Sequence, residues 1–526
     1  MRILLLLLLF VAGCQRETLV ERANREQKLI VSVGVDPETL DPQLFSSTNS
    51  LHVIRALFDG LMRPNAEGEA EMGLAERCER SPDGLTYTFY LREGRWSNGD
   101  LVCAQDFCFA YERILSPNLA SPNAQLLYVL KNAKMFAEGK CAFADVGVKR
   151  IDDRTLALTL EQPPSYFLSL LYHPAWFPLN KGSVLKHGAI DDRNNEWAEP
   201  QNIVTNGAFC LDEAKQGQFI EVRKNPSYWN AAAIQLAKIR FEIIPDNNTE
   251  ERAFRNHRLH VTETVPFSKI AYYQKERPKC VVVTPSRFSY YYLLNVDNPT
   301  LSSKDVRQAL SLALDRESLR NLRQVPAFRL LPDYTRCPAL TTTEFNPDKA
   351  KACLARAGYP NGKGFPKLTL TINNMESHKK TAEKVQEMWR KHLNIFVEIE
   401  SLDWKVYLSR RRSGEFEIAR GGWFADYNDP LAFLEIWKSH AANNYTHWSS
   451  ETFDALLDAS SHQSQGARTQ TLAEAEKVLL EASPLIPLYF VNEIRLVDES
   501  VQHWKPNLLG WHLYEHVEVQ QSKGLQ

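Results

Sequence analysis

Residues 420–430 read R-G-G-W-F-A-D-Y-N-D-P, an acid among aromatic rings with an arginine six residues upstream. Trp423, Phe424 and Tyr427 surround Asp426, and a carboxylate so placed is poorly hydrated and needs a cation. The next charged residue, Asp429, is another acid, so the cation is a distant Arg or Lys, or the ammonium group of a ligand. The ordinary reading of Asp426 is a loop-holding acid, bonded to Asn428 or to backbone amides as Asp often is in turns. Arg420 has the complementary chemistry, because a planar guanidinium binds a carboxylate bidentately. Arg410, Arg411 and Arg412 form a charge run whose ordinary reading is a solvated helix end. On residue type alone, His378 in N-N-M-E-S-H-K-K is a surface histidine and Trp404 in L-D-W-K a core tryptophan.

These residues need a scaffold. Ile418, Ala419 and Arg420 read as a buried strand running into Gly421 and Gly422, whose missing side chains let another backbone approach closely. Residues 29–35, L-I-V-S-V-G-V, read as a first buried strand. S-P-D-G at 81–84 is a turn, and residues 85–91 then alternate so that Leu85, Tyr87, Phe89 and Leu91 share one face. Residues 155–160 and 368–372 alternate in the same way. Ser302 with Asp305 suggests a capping box before a helix carrying Val306, Ala309, Leu310 and Ala313 on one stripe. Residues 348–357 form a second helix, stopped by Gly358 and Pro360. Residues 379–392 form a third, with Ala382, Val385 and Trp389 inward. Strands and helices mixed without strict βαβ repetition indicate an α/β protein with several lobes, and 526 residues call for two or three domains.

With 62 basic against 64 acidic residues the chain has no broad basic field, which argues against nucleic acid as a partner. At the N-terminus Arg2 precedes an apolar run, residues 3–12, too short to span a bilayer but suited to a secretory signal. The V-A-G-C that closes it resembles the bacterial lipoprotein box, which implies cleavage before Cys14 and lipidation of its thiol. Gln15 follows where the enteric-type inner-membrane retention signal has Asp. The mature chain is then a soluble protein tethered to a membrane through residues 15–27. Cys78, Cys103, Cys108, Cys141, Cys210, Cys280, Cys337 and Cys353 match no zinc or CxxC spacing, and at most a few disulfides are expected.

An ordered set of segments resembles the extracytoplasmic solute-binding proteins of peptide ABC importers (family 5), of the oligopeptide-binding kind. They include L-D-P at 40–42, L-F-D-G-L at 57–61, and L-T-Y-T-F-Y-L-R-E-G-R-W-S-N-G-D at 85–100 followed by A-Q-D-F. V-T-N-G-A-F at 204–209, K-N-P-S-Y-W-N at 224–230 and D-V-R-Q-A-L-S-L-A-L-D-R at 305–316 continue the series, and 420–430 matches W-x-A-D-Y-N-x-P. The resemblance covers nearly the whole mature chain. It implies a bilobal periplasmic-binding-protein fold of the large, cluster C type with a two-segment hinge. Lobe I would run over 28–287 with an inserted subdomain at about 73–183, lobe II over 288–494, and residues 495–526 would return to lobe I. Transport would fall to separate permease and ATPase subunits, with this chain as a monomer needing no cofactor and no metal.

In such proteins an extended peptide is held as an added strand. By resemblance, Gly422, Trp423 and Phe424 on one lobe and Asp59, Gly60 and Leu61 on the other would pair with the peptide backbone. Asp426 would take the ligand's ammonium group. Arg420 would meet the carboxylate of short peptides, Arg411 would be a second pocket arginine and His378 would serve longer ligands. Trp404 and Trp423 would wall the pockets, and Tyr427 with Trp423 would shield the Asp426 ion pair from water. Two departures stand out: Phe424 and Phe288 occupy positions where such binders often have Cys, and Arg320 and Arg323 are the nearest substitutes for a lysine that serves longer peptides. The alternatives are a same-fold binder of a dipeptide, a cell-wall peptide, haem or a metal chelate. A zinc peptidase is the alternative of another class, from H-x-x-E-H at 512–516. The alternating W-H-L-Y-E-H-V-E-V around that motif reads as strand, and no nucleophile motif accompanies it.

Overall fold

A computed structural model describes residues 17–65, 67–162, 166–425, 427, 429–461, 463, 465–505 and 510–521. One long two-stranded ribbon runs between two of the hydrophobic cores. The strands Val281–Leu294 and Leu485–Leu496 run antiparallel, from the pair Val281 and Leu496 at one end to Leu293 and Leu485 at the other. At one end Leu496 packs with Ile30, Phe254 and Cys280. Towards the other, Tyr290, Tyr292, Leu294, Ile486 and Leu488 belong to the core of the second lobe. Between the two, the ladder breaks from Pro285 to Ser289, where residues 286–288 stand opposite Val491 alone. An excess of residues on one strand bends it and sharpens its twist.

The first lobe carries a four-stranded sheet in the order Lys28–Ser32, Lys238–Glu242, Phe219–Lys224, Phe209–Lys215, with only the first pair parallel. Leu29, Ile30 and Val31 are all buried, as a continuous apolar run demands of a strand covered on both faces. Within the segment expected to be a tether, Leu19–Arg25 is a helix. Thr18 and Glu21 close a reciprocal capping box, and Val20 and Ala23 are buried against the lobe. A second, all-antiparallel sheet holds Ala75–Arg80, Thr86–Leu91, Thr155–Thr159 and Val148–Asp152 in that order. Its first turn is the S-P-D-G segment, where the Gly84 amide bonds the Ser81 carbonyl and Gly84 takes a φ of +74° that a side chain would strain.

The second lobe is built on a six-stranded sheet, ordered Gln324–Pro326, Leu485–Leu496, Val281–Leu294, Ile418–Phe424, Leu368–Asn373, Val397–Leu402. Helices Lys304–Leu312, Pro347–Arg356 and Glu376–Leu393 cover it through Val306, Leu310, Leu354, Ala382, Val385 and Trp389. The expected capping box does not form. Ser303 is the N-cap, the Ser302 hydroxyl donates to the Pro299 carbonyl instead, and Asp305 pairs with Arg356.

The alternating segment after Gly510 is not a strand as expected. Tyr514–His516 is a 3-10 turn, and only Glu518–Val519 pairs, with Val501–Gln502. His512 is buried between Trp504 and His52 while His516 faces solvent, so the two histidines share no face. Among the described residues no group of three or more His, Cys, Asp or Glu could hold a metal ion. The eight described cysteines are free thiols. No helix of the described residues is long and apolar enough to cross a membrane.

Candidate functional site

The strand Ile418–Phe424 is flanked on one side by Val281–Leu294 along its whole length, from Leu294 opposite Ile418 to Phe288 opposite Phe424. On the other side Leu368–Asn373 pairs with it only at Ile418 and Ala419. From Arg420 onward that second edge has no strand beside it among the described residues. The Ala425 amide donates to the Arg287 carbonyl, so the antiparallel alternation turns the amides and carbonyls of Gly422 and Phe424 towards the open edge. Two exposed hydrogen-bonding residues separated by one are what an added strand requires.

Gly421 and Gly422 make room for rings and not, as expected, for a backbone. A Cβ on Gly421 would meet the Tyr291 ring and one on Gly422 the Phe288 ring. Those rings come from the neighbouring strand and lie on opposite faces of the sheet. One face therefore carries Arg420 beside Phe288 and Tyr290, with the guanidinium 5.9 and 5.2 Å from their centroids. The other carries Trp423, half-buried, whose indole N–H donates to the Ala432 carbonyl at 2.7 Å.

Arg420 and His378 line one cavity of about 600 Å³, together with Phe288, Tyr290, Tyr489 and Arg323. The Nε of Arg420 is buried without a hydrogen-bond partner, and no carboxylate of the described residues pairs with its guanidinium. His378 is buried, bonds the Tyr290 hydroxyl at 3.2 Å, and is held down at about 4 by burial and by the Arg420 charge. It is therefore a neutral hydrogen-bonding group at neutral pH and adds no positive charge. Arg411 lies outside this cavity, on the helix Trp404–Ser413, stacked over Tyr445 at 4.8 Å and Tyr407 at 5.6 Å, and its Nε also lacks a partner. The Tyr407 hydroxyl donates to the Arg420 carbonyl, and burial raises its pKa while Arg411 and Arg420 pull it back. Both guanidinium groups thus converge on Tyr407 at the point where the strand edge opens. Trp404 stacks on Tyr407 at 5.8 Å and is 46% exposed, so it is not the core residue its type suggests. Arg320, by contrast, is exposed and bound to Glu317.

Asp426 and Cys14 lie outside the described residues. Two described residues beside Asp426 are held by contacts distant in sequence. Asp429 is buried in a two-bond pair with Arg468, at 2.7 and 2.8 Å, and caps Leu431. Tyr427 is buried, donates to Glu435 at 2.9 Å, and stacks on Tyr166 of the first lobe at 4.5 Å. Tyr427 is therefore a contact between the lobes. Arg468 lies 39 residues away in sequence, beyond the reach of any local motif.

Asp59, Gly60 and Leu61 do not offer the free edge expected of them. The Asp59 amide and carbonyl bond the Asn206 side chain, and Leu74 N–H reaches the Gly60 carbonyl. Gly73 and Ala75 N–H both reach the Leu61 carbonyl. The Asp59 carboxylate accepts from the Gly60 amide, Tyr228 and Trp229. These residues form a buried joint of the first lobe. Phe45, Ser46, Ser47 and Thr48 of the first lobe instead line a cavity of about 210 Å³ together with Phe424, Arg287 and Trp511. Glu38 ties this segment down: burial would raise its carboxyl, but hydrogen bonds from Ser47 and Ser46 take it to about 2. In the sequence, S-S-T-N signals no more than the helix start that Ser47 caps.

Residues 69–445 match the family described as bacterial extracellular solute-binding proteins, family 5 Middle. The periplasmic oligopeptide-binding protein OppA of Salmonella typhimurium is 34% identical over 488 residues, covering 90% of this chain and 88% of its own. The oligopeptide-binding protein OppA of Bacillus subtilis is 33% identical over 90% of this chain and 89% of its own. Among solved structures, the unliganded open form of the periplasmic murein tripeptide-binding protein MppA superposes with a TM-score of 0.83 at 30% identity, covering 94% of this chain and 97% of its own. Haemophilus influenzae OppA in complex with RPPGFSPFR gives 0.75 at 29% identity over 94% and 99%. The chain therefore belongs to the bacterial extracellular solute-binding proteins of family 5.

Proposed function

We propose that this protein is the substrate-binding component of an oligopeptide ABC importer. It captures short peptides between its lobes and hands them to separate permease and ATPase subunits. The observation that carries this reading is the open edge at Gly422 and Phe424, which begins beside Tyr407, where Arg411 and Arg420 bring two guanidinium groups without a carboxylate partner among the described residues. A peptide supplies both missing complements: a backbone to pair with the edge and a terminal carboxylate for the arginines. Its ammonium group falls to Asp426. The ribbon bulge at 286–288 serves as the hinge, with the lobes divided at 287/288 and 494/495, and ligand bridging both lobes favours the closed state. The protein acts as a monomer, without a cofactor and without catalysing a reaction, outside the cytoplasmic membrane and anchored through a lipid on Cys14.

Calorimetry with tri- to pentapeptides tests this reading. Binding should be lost on N-acetylation of the peptide or in Asp426→Ala, and equal affinity for the acetylated peptide would remove the ammonium assignment. Mass spectrometry of ligand co-purified from the native host separates an oligopeptide from a dipeptide, cell-wall peptide, haem or chelate, and unchanged peptide after incubation separates binding from hydrolysis.

A further inference from the structure

The cavity beside Arg420 is more cationic than one terminal carboxylate explains. Its lining carries Arg323, Lys380, Lys384 and Arg420 against a single acid, Glu376, in a chain whose 62 basic and 64 acidic residues nearly balance. Glu376 is already taken by Lys380, one turn along the same helix, at 2.7 Å. Arg323 and Lys384 have no carboxylate partner among the described residues, and Lys384 spends one N–H on the Ser318 carbonyl at 3.2 Å. The three remaining cations come from three separate elements: the loop before Gln324–Pro326, the helix Glu376–Leu393 and the strand Ile418–Phe424. Like charges gathered round one concavity repel, and an anion entering it relieves that repulsion while meeting a focused field.

The floor has a different character. Tyr290 and Tyr489 stack at 4.4 Å, Phe288, Leu319 and Val491 add apolar surface, and neutral His378 completes the wall. An apolar floor under a cationic rim fits a short aliphatic stem with a negative head.

We propose that this cavity is a subsite for an acidic side chain, so that preferred ligands are peptides with Asp or Glu at or next to the C-terminal residue. The assignment rests on the peptide reading above. Arg420 holds the terminal carboxylate, and Arg323 and Lys384 hold the side-chain carboxylate. Both of these residues are exposed at the rim, so replacing them does not threaten the core.

The test is calorimetric titration of the full-length protein with two pairs of tetrapeptides, Ala-Ala-Glu-Ala against Ala-Ala-Gln-Ala and Ala-Ala-Ala-Glu against Ala-Ala-Ala-Gln. In at least one pair the Glu member should bind about tenfold tighter or better. In Arg323→Gln/Lys384→Gln that gap should collapse to within about twofold, and it should shrink with added salt. Equal affinity within both pairs, or a gap that survives in the double variant, overturns the acidic subsite and leaves peptide binding standing. Failure of all four peptides to bind overturns both.

Discussion

Replacing Arg420 by Met removes the guanidinium and keeps an apolar stem beside Phe288 and Tyr290. No ion pair to a described residue is broken, so the loss reports on the ligand and not on the fold. Two unit charges about 4 Å apart attract by ~4 kcal/mol at an effective dielectric near 20, part of which desolvation takes back. A hydrogen bond to a charged group nets about 1.5–3 kcal/mol. Arg420 is half-buried, so the lower half of that range applies, about 1.5–2 kcal/mol or roughly 10- to 30-fold in Kd. The assay is a double-mutant cycle by calorimetry: native protein and Arg420→Met, each titrated with a tripeptide and with its C-terminal amide. The native protein should lose this factor on amidation and the variant should not, giving a coupling of about 1.5–2 kcal/mol. A coupling below about 0.5 kcal/mol, with both proteins binding acid and amide alike, would refute the placement of the ligand carboxylate at Arg420.

Three further outcomes follow from the packing. Gly422→Ala drives a Cβ into the Phe288 ring, 2.9 Å from its Cε1, and should cost about 1–3 kcal/mol in urea unfolding, with most of it recovered in Gly422→Ala/Phe288→Ala; an undiminished cost in the double variant would contradict the steric cause. Arg468→Met strands the buried Asp429 carboxylate and should cost about 3–5 kcal/mol, whereas a loss under about 1 kcal/mol would show that the pair does not hold the loop. Acid should act in two stages. His260 is fully buried and held at about 4 against an ordinary 6.5, so the unfolded chain takes up its proton first. The stability it contributes is full above 6.5 and is lost as pH falls towards 4, roughly 3 kcal/mol in all. Glu263, taken down to about 2 against burial by Arg495 and His52, adds a second loss between 4.5 and 2. A urea midpoint unchanged from pH 7.5 to 5 would contradict the His260 assignment.

The sequence displayed the site's ingredients better than its geometry. The strand through Arg420, the helix 379–392 and the alternating strands were legible because burial imposes periods of two and 3.6 on apolar residues. The shared cavity of Arg420, His378 and Arg323 was not, since it depends on three elements meeting in space. Asp429 illustrates the same limit: its cation, Arg468, sits on a distant helix. Asp59, Gly60 and Leu61 misled because their motif marks a buried joint held by Asn206, Tyr228 and Trp229, while the first-lobe segment that shares a cavity with Phe424 is the unremarkable F-S-S-T. The two glycines correctly flagged a close approach, but the approaching groups were the rings of Tyr291 and Phe288.

The central claim is that a peptide joins the sheet at the open edge of Ile418–Phe424 through the amides and carbonyls of Gly422 and Phe424. It is tested most directly by titrating a tetrapeptide with free termini and a series of the same peptide N-methylated at each internal amide in turn. N-methylation removes one backbone donor and leaves every charge in place. The added strand predicts that one position loses about tenfold or more in affinity while its neighbour, whose N–H points away, loses little. Equal affinity across the whole series would contradict it.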